Sequence, residues 1–113
     1  MAGMTERLEA MLAAGQDNLL LRFSLGKARL EDERLDEACE HLRRALDFDA
    51  QYSNAWKLLG KALLQSGDRE AARAAWTSGV SAAHSRGDAQ VERELSIFLK
   101  RLTKEDDARA LNG

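Results

Sequence analysis

The sequence predicts an all-α fold, a stack of helical hairpins, and three observations lead to this prediction. The chain of 113 residues contains no proline and is rich in alanine, leucine, glutamate and arginine, so most residues favour helix. Its apolar content of 44% and net charge of −2 indicate a single folded domain with one modest core. A shift of 34 residues aligns the chain with itself, because Gly26 falls on Gly60 and Ala38 on Ala72. A repeat of this length is typical of stacked helical hairpins.

The first half of the chain is predicted to contain three helices. A short helix over residues 5–14 ends at Gly15, which permits the left-handed turn that closes helices. Asn18 caps a second helix over residues 19–32, because its side-chain oxygen can accept a hydrogen bond from a free backbone amide. A third helix over residues 35–48 completes the first hairpin.

The second half of the chain is predicted to contain three more helices. Ser53 is placed to cap the first of them. Gly67 supplies a left-handed turn and Asp68 caps the helix that follows it. The Gly87-Asp88 pair repeats this arrangement before the last helix. The three predicted helices span residues 54–66, 69–85 and 89–102.

The second copy of the repeat contains a distinctive motif. It reads Trp56-Lys57-Leu58-Leu59-Gly60-Lys61-Ala62-Leu63, followed by Gly67-Asp68, Ala72 and Trp76. This segment resembles the tetratricopeptide repeat (TPR), whose pattern is W-x2-L-G-x2-Y followed by A-x3-F. Leu63 stands where the family usually has tyrosine, and Trp76 where it has phenylalanine.

The first copy of the repeat resembles the TPR pattern less fully. Its matching residues are Leu25, Gly26, Ala38, Leu42 and Ala45. Arg22 replaces the usual tryptophan and Arg29 replaces the usual tyrosine, both at positions that the family buries. Because of these two arginines, an alternative is that the first helix of this hairpin is rotated about its axis relative to the family pattern. The rotation would place Phe23 and Leu30 in the core.

The resemblance implies a right-handed TPR-like stack of about six helices in a small, stand-alone, two-repeat domain of bacterial type. The predicted parts of this single domain, residues 1–113, are a capping helix at 5–14, a first repeat at 19–52, a second repeat at 53–88, a capping helix at 89–102 and a flexible tail at 103–113. Gly26 and Gly60 are expected where a neighbouring helix approaches closely, since mid-helix glycine otherwise costs about 1 kcal/mol.

The resemblance also implies a concave groove lined by the first helix of each hairpin. The candidate peptide-binding residues in this groove are Phe23, Lys27, Leu30, Asn54, Lys57, Lys61, Leu64, Arg93 and Ile97. Cations outnumber carboxylates in this set although the chain is net negative, so we expect the groove to bind a short acidic peptide. The alternative interpretation is that these lysines form ordinary solvated surface.

The function that the resemblance implies is a non-enzymatic protein–protein interaction module, a scaffold or adaptor. The alternative is a self-associating structural subunit, such as a homodimer, because two repeats are fewer than the three that stacks usually need. Neither interpretation requires a cofactor.

Catalysis and metal binding lack a suitable set of residues. Cys39 and His41 lie two positions apart and therefore on different faces of a helix, and His84 is distant in the sequence. The negative net charge argues against nucleic-acid binding, and no apolar run approaches the ~20 residues of a membrane span. Charged residues near the N-terminus do not match a secretory signal. We therefore expect a cytoplasmic protein without bound metal.

Overall fold

The computed structural model describes residues 3–112 and forms six helices over that range. They are α1 (Met4–Ala13), α2 (Leu19–Glu31), α3 (Leu35–Phe48), α4 (Ser53–Gln65), α5 (Arg69–Arg86) and α6 (Ala89–Asn112). The described residues include no strand, so the predicted all-α class is confirmed.

Three of the predicted helix starts have the capping hydrogen bond that was expected. The side-chain oxygens of Asn18, Asp68 and Asp88 each accept from the backbone amide three residues further on, at 2.9, 3.1 and 3.3 Å respectively. Gly67 and Gly87 precede two of these caps with φ of 95° and 72°. These are left-handed conformations that glycine adopts without a steric penalty.

The prediction that Ser53 caps a helix is wrong. Tyr52 occupies the N-cap position and makes no side-chain capping bond. Ser53 is instead the first residue of α4, is buried, and donates its hydroxyl hydrogen to Asp88 Oδ2 at 3.1 Å. Since the other carboxylate oxygen of Asp88 caps α6, this one aspartate joins the starts of two helices.

The last helix is longer than the sequence predicted. It was expected to end at residue 102 before a flexible tail over 103–113, whereas α6 continues through Asn112. Asp106 of the added segment pairs with Arg69 at 2.7 Å and also with Arg73, both on α5. Thr103 Oγ1 accepts from Arg73 at 3.2 Å. The polar side chains of this segment therefore bond to the neighbouring helix α5. Residue 113 lies outside the described range.

The helices pack in chain order, each against the next, and α4 also contacts both α2 and α6. The first helices of successive hairpins, α2, α4 and α6, thus stand side by side, and we call the face that they form the inner face. Two clusters of buried side chains lie beneath it, one centred on α3 and α4 and one on α5 and α6. The largest fully buried side chains are Leu25, Leu42, Leu95 and Leu102.

Two mid-helix glycines mark close helix crossings, as predicted. A Cβ atom at Gly26 would lie 2.6 Å from Leu42 Cγ on α3. A Cβ atom at Gly60 would overlap the indole ring of Trp76 on α5. Each glycine therefore creates the space that one large side chain of the paired helix fills.

Candidate peptide-binding face

A pocket of about 370 Å³ opens on the inner face between α4 and α6, and we call it the α4–α6 pocket. Its apolar lining consists of Leu64, Trp76, Phe98 and Leu102. Its polar rim consists of Lys61, Gln65, Arg101 and Glu105. Two of the nine predicted site residues, Lys61 and Leu64, lie here, and Trp76 reaches the pocket from α5.

Helical spacing explains how both walls of the α4–α6 pocket are formed. On α4, Lys57, Lys61 and Leu64 lie three or four positions apart and share one side of the helix. On α6, the residues that contact or line this region are Glu94, Phe98, Arg101, Leu102 and Glu105, which follow the same spacing. The two walls are therefore the facing stripes of two neighbouring first helices.

The lysines of α4 differ in their electrostatic state. Lys57 Nζ donates to Glu94 Oε2 at 3.1 Å, and the side chains are only 18% and 34% exposed, so this pair neutralises itself. Lys61 Nζ lies 5.4 Å from the ring centroid of Phe98, a cation–π arrangement. Arg101 is exposed, and neither it nor Lys61 forms an ion pair within residues 3–112. The available positive charge thus belongs to Lys61 and Arg101 rather than to Lys57.

Arg93 and Ile97 occupy a different side of α6 from the residues that meet α4. They line a separate depression with Ser96 and Lys100, and Ile97 is 54% exposed. Arg93 was predicted in the same groove as Lys57, but the residue of α6 that pairs with Lys57 is Glu94.

The predicted residues of α2 are also distributed over separate places. Phe23 and Lys27 line a depression between α1 and α2. Phe23 is half-buried and meets the Tyr52 ring edge-on, with 5.1 Å between centroids. Leu30 is half-buried and packs against the α3–α4 core cluster. Asn54 lies beside Arg86 and Asp88 at the start of α4.

The arginines that replace the family's aromatic residues are held between α1, α2 and α3. Arg22 donates to both carboxylate oxygens of Asp17 at 2.8 and 3.0 Å, which holds the pKa of that carboxyl below its usual 3.8. Arg29 donates to Glu9 Oε1 at 2.9 Å. Both arginines therefore stay largely buried with charged partners, and Phe23 and Leu30 are half-buried against the α3–α4 core cluster.

Sequence reasoning did not select Glu94, Phe98 or Glu105 as site residues. Their helical spacing from one another was a usable signal, since positions 94, 98, 101 and 105 form one stripe. Glu105 was missed because α6 was predicted to end before it. The register of α6 against α4, which brings Lys57 to Glu94, is a property of packing and has no local sequence signal.

Within residues 3–112, no three potential metal ligands come together. Cys39 is buried, and burial raises the pKa of its thiol. In the same range no helix combines the length and apolar character needed to cross a membrane.

Helical hairpins that cross at glycines, with their first helices side by side, define a helical-repeat protein with an open inner face. Comparison with known proteins makes the class specific. The family model described as tetratricopeptide repeat matches residues 29–93, and the chain belongs to this family. The TPR resemblance stated from the sequence is therefore confirmed.

Two relatives support the assignment, and a third protein shares the fold. A TPR repeat-containing protein of Pseudomonas aeruginosa is 48% identical over 101 residues, which cover 89% of this chain and 96% of the relative. A protein of Bordetella parapertussis with a known solution structure is 62% identical, with a TM-score of 0.83 and coverage of 94% and 92%. The crystal structure of MamA is similar in fold at 19% identity, with a TM-score of 0.65 and coverage of 94% and 68%.

Proposed function

We propose that this chain is a non-enzymatic interaction module that binds a short segment of a partner protein on its inner face. Proteins of the TPR family are in general protein–protein interaction modules. The observation that carries the proposal is the α4–α6 pocket, an apolar depression on the face formed by the first helices. Pockets with an apolar lining and a few polar groups at the edge are typical of binding sites.

The partner segment is proposed to be acidic. Lys61 and Arg101 supply positive charge at the α4–α6 pocket, and neither forms an ion pair with a carboxylate among residues 3–112. Positive charge on a recessed face attracts anionic segments and accelerates their association. We therefore expect binding that weakens as salt concentration rises, since exposed charges are screened beyond about 8–10 Å at physiological ionic strength.

The test compares charge reversal on two faces of the molecule. The partner is captured from a native lysate, its bound segment is mapped by limited proteolysis, and the affinity of that segment is measured for each variant. Lys61→Glu should weaken binding strongly. Arg43→Glu makes the same charge change at an exposed site of α3 and should not. Equal binding by both variants would place the interaction elsewhere and refute the proposal.

A homodimer is the second candidate, and one end of the stack favours it. Met4, Met11 and Leu20 of α1 and α2 are exposed apolar side chains, with Met4 72% exposed. Such side chains at a stack end are suited to contact a second copy. Sedimentation velocity separates the two candidates, since a single species of 12.5 kDa at micromolar concentration removes the dimer.

A further inference from the structure

The α4–α6 pocket has the size and lining for one large apolar side chain. Its volume of about 370 Å³ exceeds a single aromatic side chain, and its walls are Leu64, Phe98 and Leu102. Trp76 lies at the bottom and is almost fully buried, with its ring centroid 5.2 Å from that of Phe98. The residues that form the bottom are therefore held by the core and need not reorganise to accept a ligand.

The charges at the rim are arranged asymmetrically along the helices. Lys61 stands level with Phe98, Arg101 follows nearly one turn further along α6, and Glu105 follows one turn after that. Lys61 and Arg101 project from opposite walls and neither pairs with a carboxylate within residues 3–112. One end of the pocket is therefore positive and the other end, at Glu105, is negative.

Building on the proposed peptide-binding function, we infer that this pocket binds an aromatic or large aliphatic side chain of the partner segment, and that an adjacent carboxylate of the segment binds between Lys61 and Arg101. A carboxylate bound at this position would pair with Lys61 and Arg101, which have no other ion-pair partner within residues 3–112. The negative end disfavours a second carboxylate on the Glu105 side. The segment is therefore recognised by an apolar residue with acid on one side only.

The Lys57–Glu94 pair supports the choice of this pocket over the rest of the inner face. Because Glu94 already neutralises Lys57, an anion bound beside Lys57 would also meet the carboxylate of Glu94. The depression at Arg93 and Ile97 lies on another side of α6, and none of the residues that line it is buried. The α4–α6 pocket thus combines a buried apolar floor with two cations that have no partner in residues 3–112.

The experiment uses short random peptides displayed on phage, selected on the immobilised full chain. We expect enriched peptides to share an aromatic or large aliphatic residue with Asp or Glu on one side of it. A synthetic peptide of the enriched type is then measured by fluorescence polarisation. Arg101→Glu should weaken its affinity at least about tenfold, because an attractive contact becomes a repulsive one. Lys61→Glu should act in the same direction.

The matched control is Lys100→Glu, the same charge change at the neighbouring residue, which is exposed and lines the other side of α6. It should leave affinity unchanged. Phe98→Ala should also weaken binding, and circular dichroism shows whether each variant keeps its helices. Because Arg101 is exposed, Arg101→Glu keeps the test decisive even if Phe98→Ala unfolds.

The possible results distinguish this inference from the proposed function. Peptides that bind wild type and Arg101→Glu equally would overturn the pocket while leaving peptide binding intact. Enriched peptides without the acid-flanked apolar residue would overturn the proposed chemistry. A dimer that Arg101→Glu dissociates would show that a second copy occupies the pocket and would also overturn it. Failure to enrich any peptide over uncoated support would count against both proposals.

Discussion

At the scale of single residues, Gly60 shows how one missing side chain determines a helix crossing. Trp76 packs where the Cβ atom of any other residue would stand, and its Nε1 donates to Lys57 O at 3.1 Å. Gly60→Leu should destabilise the fold by about 1–3 kcal/mol through overpacking. Thermal melting checks this, with Ala74→Leu on an exposed part of α5 as the control. Coincident melts of Gly60→Leu and wild type would show that the crossing tolerates a side chain.

The two tryptophans are expected to differ in their contribution to stability. Trp76 is buried, whereas Trp56 is half-buried and donates through Nε1 to Ala50 O at 2.7 Å. Trp76→Ala should cost about 3–5 kcal/mol, the usual range for a large core truncation. Trp56→Ala should cost less, because less of its ring leaves water on folding. Urea unfolding followed by circular dichroism measures both, and an equal loss would contradict the burial difference.

His41 is expected to make the stability of the fold depend on pH below 6.5. Burial lowers the pKa of its imidazole from 6.5, an effect larger than that of the surrounding charges. Those charges are Glu9 of α1, Arg22 and Arg29 of α2, and Glu40 of its own helix. Nδ1 lies 3.0 Å from Arg22 Nη1, so the neutral ring accepts a hydrogen bond that protonation would remove.

The direction of the pH effect follows from this lowered pKa. Below 6.5 the unfolded chain protonates His41 while the folded chain resists, so stability falls as pH decreases. The fall is at most about 1.4 kcal/mol per pH unit for one such group. In the variant His41→Gln, the unfolding free energy should depend less on pH below 6.5 than it does in the wild-type protein. An unchanged slope in His41→Gln would exclude His41 as the source.

At the scale of helices and turns, the two hairpins form corresponding turns with different residues. The second hairpin uses Gly67 in the left-handed region and Asp68 as a cap. At the corresponding positions the first has Glu33, with φ of 60°, and Arg34, which makes no capping bond. A side chain in this conformation costs about 1 kcal/mol, and a missing cap costs a similar amount.

Transferring the second turn into the first should therefore stabilise the protein. Glu33→Gly should add about 1 kcal/mol and Arg34→Asp a similar amount, measured as unfolding free energy in urea. The ion pair that Arg34 forms with Glu37 is exposed, so its loss matters little. The converse change, Gly67→Glu, should destabilise. If Glu33→Gly lowered the stability instead, the conformational entropy that glycine adds to the unfolded chain would outweigh the backbone strain that it relieves in the folded state.

The same scale shows which parts of the structure the sequence could predict. The caps predicted at Asn18 and Asp68 were correct because a capping hydrogen bond joins residues only three positions apart in the sequence. Ser53 was misassigned because its partner, Asp88, lies 35 residues further along the chain. The end of α6 was predicted too early because the sequence around Asp106 is typical of solvent-exposed chain. Its ion pair with Arg69 of α5 depends on the packing of the two helices. Contacts between repeats depend on packing, and so does the pairing of Lys57 with Glu94 that changed the candidate site.

At the scale of the whole molecule, the two ends of the stack are held differently. The α6 end buries Leu95 and Leu102 and is tied to α5 through Asp106. Within its described residues α1 has no buried side chain, and its main polar attachment is Glu9, bonded to Arg29 at 2.9 Å. A stack of repeats opens most easily from the end with the weakest interface.

Hydrogen exchange should therefore show that α1 opens separately from the rest of the stack. Amides of α1 are expected to exchange faster than those of α4, and faster still when salt screens the attachment of Glu9 to Arg29. Glu9→Gln should increase α1 exchange without changing α4, because it removes the charge that faces a largely buried guanidinium. Glu6→Gln, on the exposed side of the same helix, is the matched control and should change neither. If α1 amides exchanged only through global unfolding, as slowly as those of α4, the attachment of α1 would be as strong as the core itself.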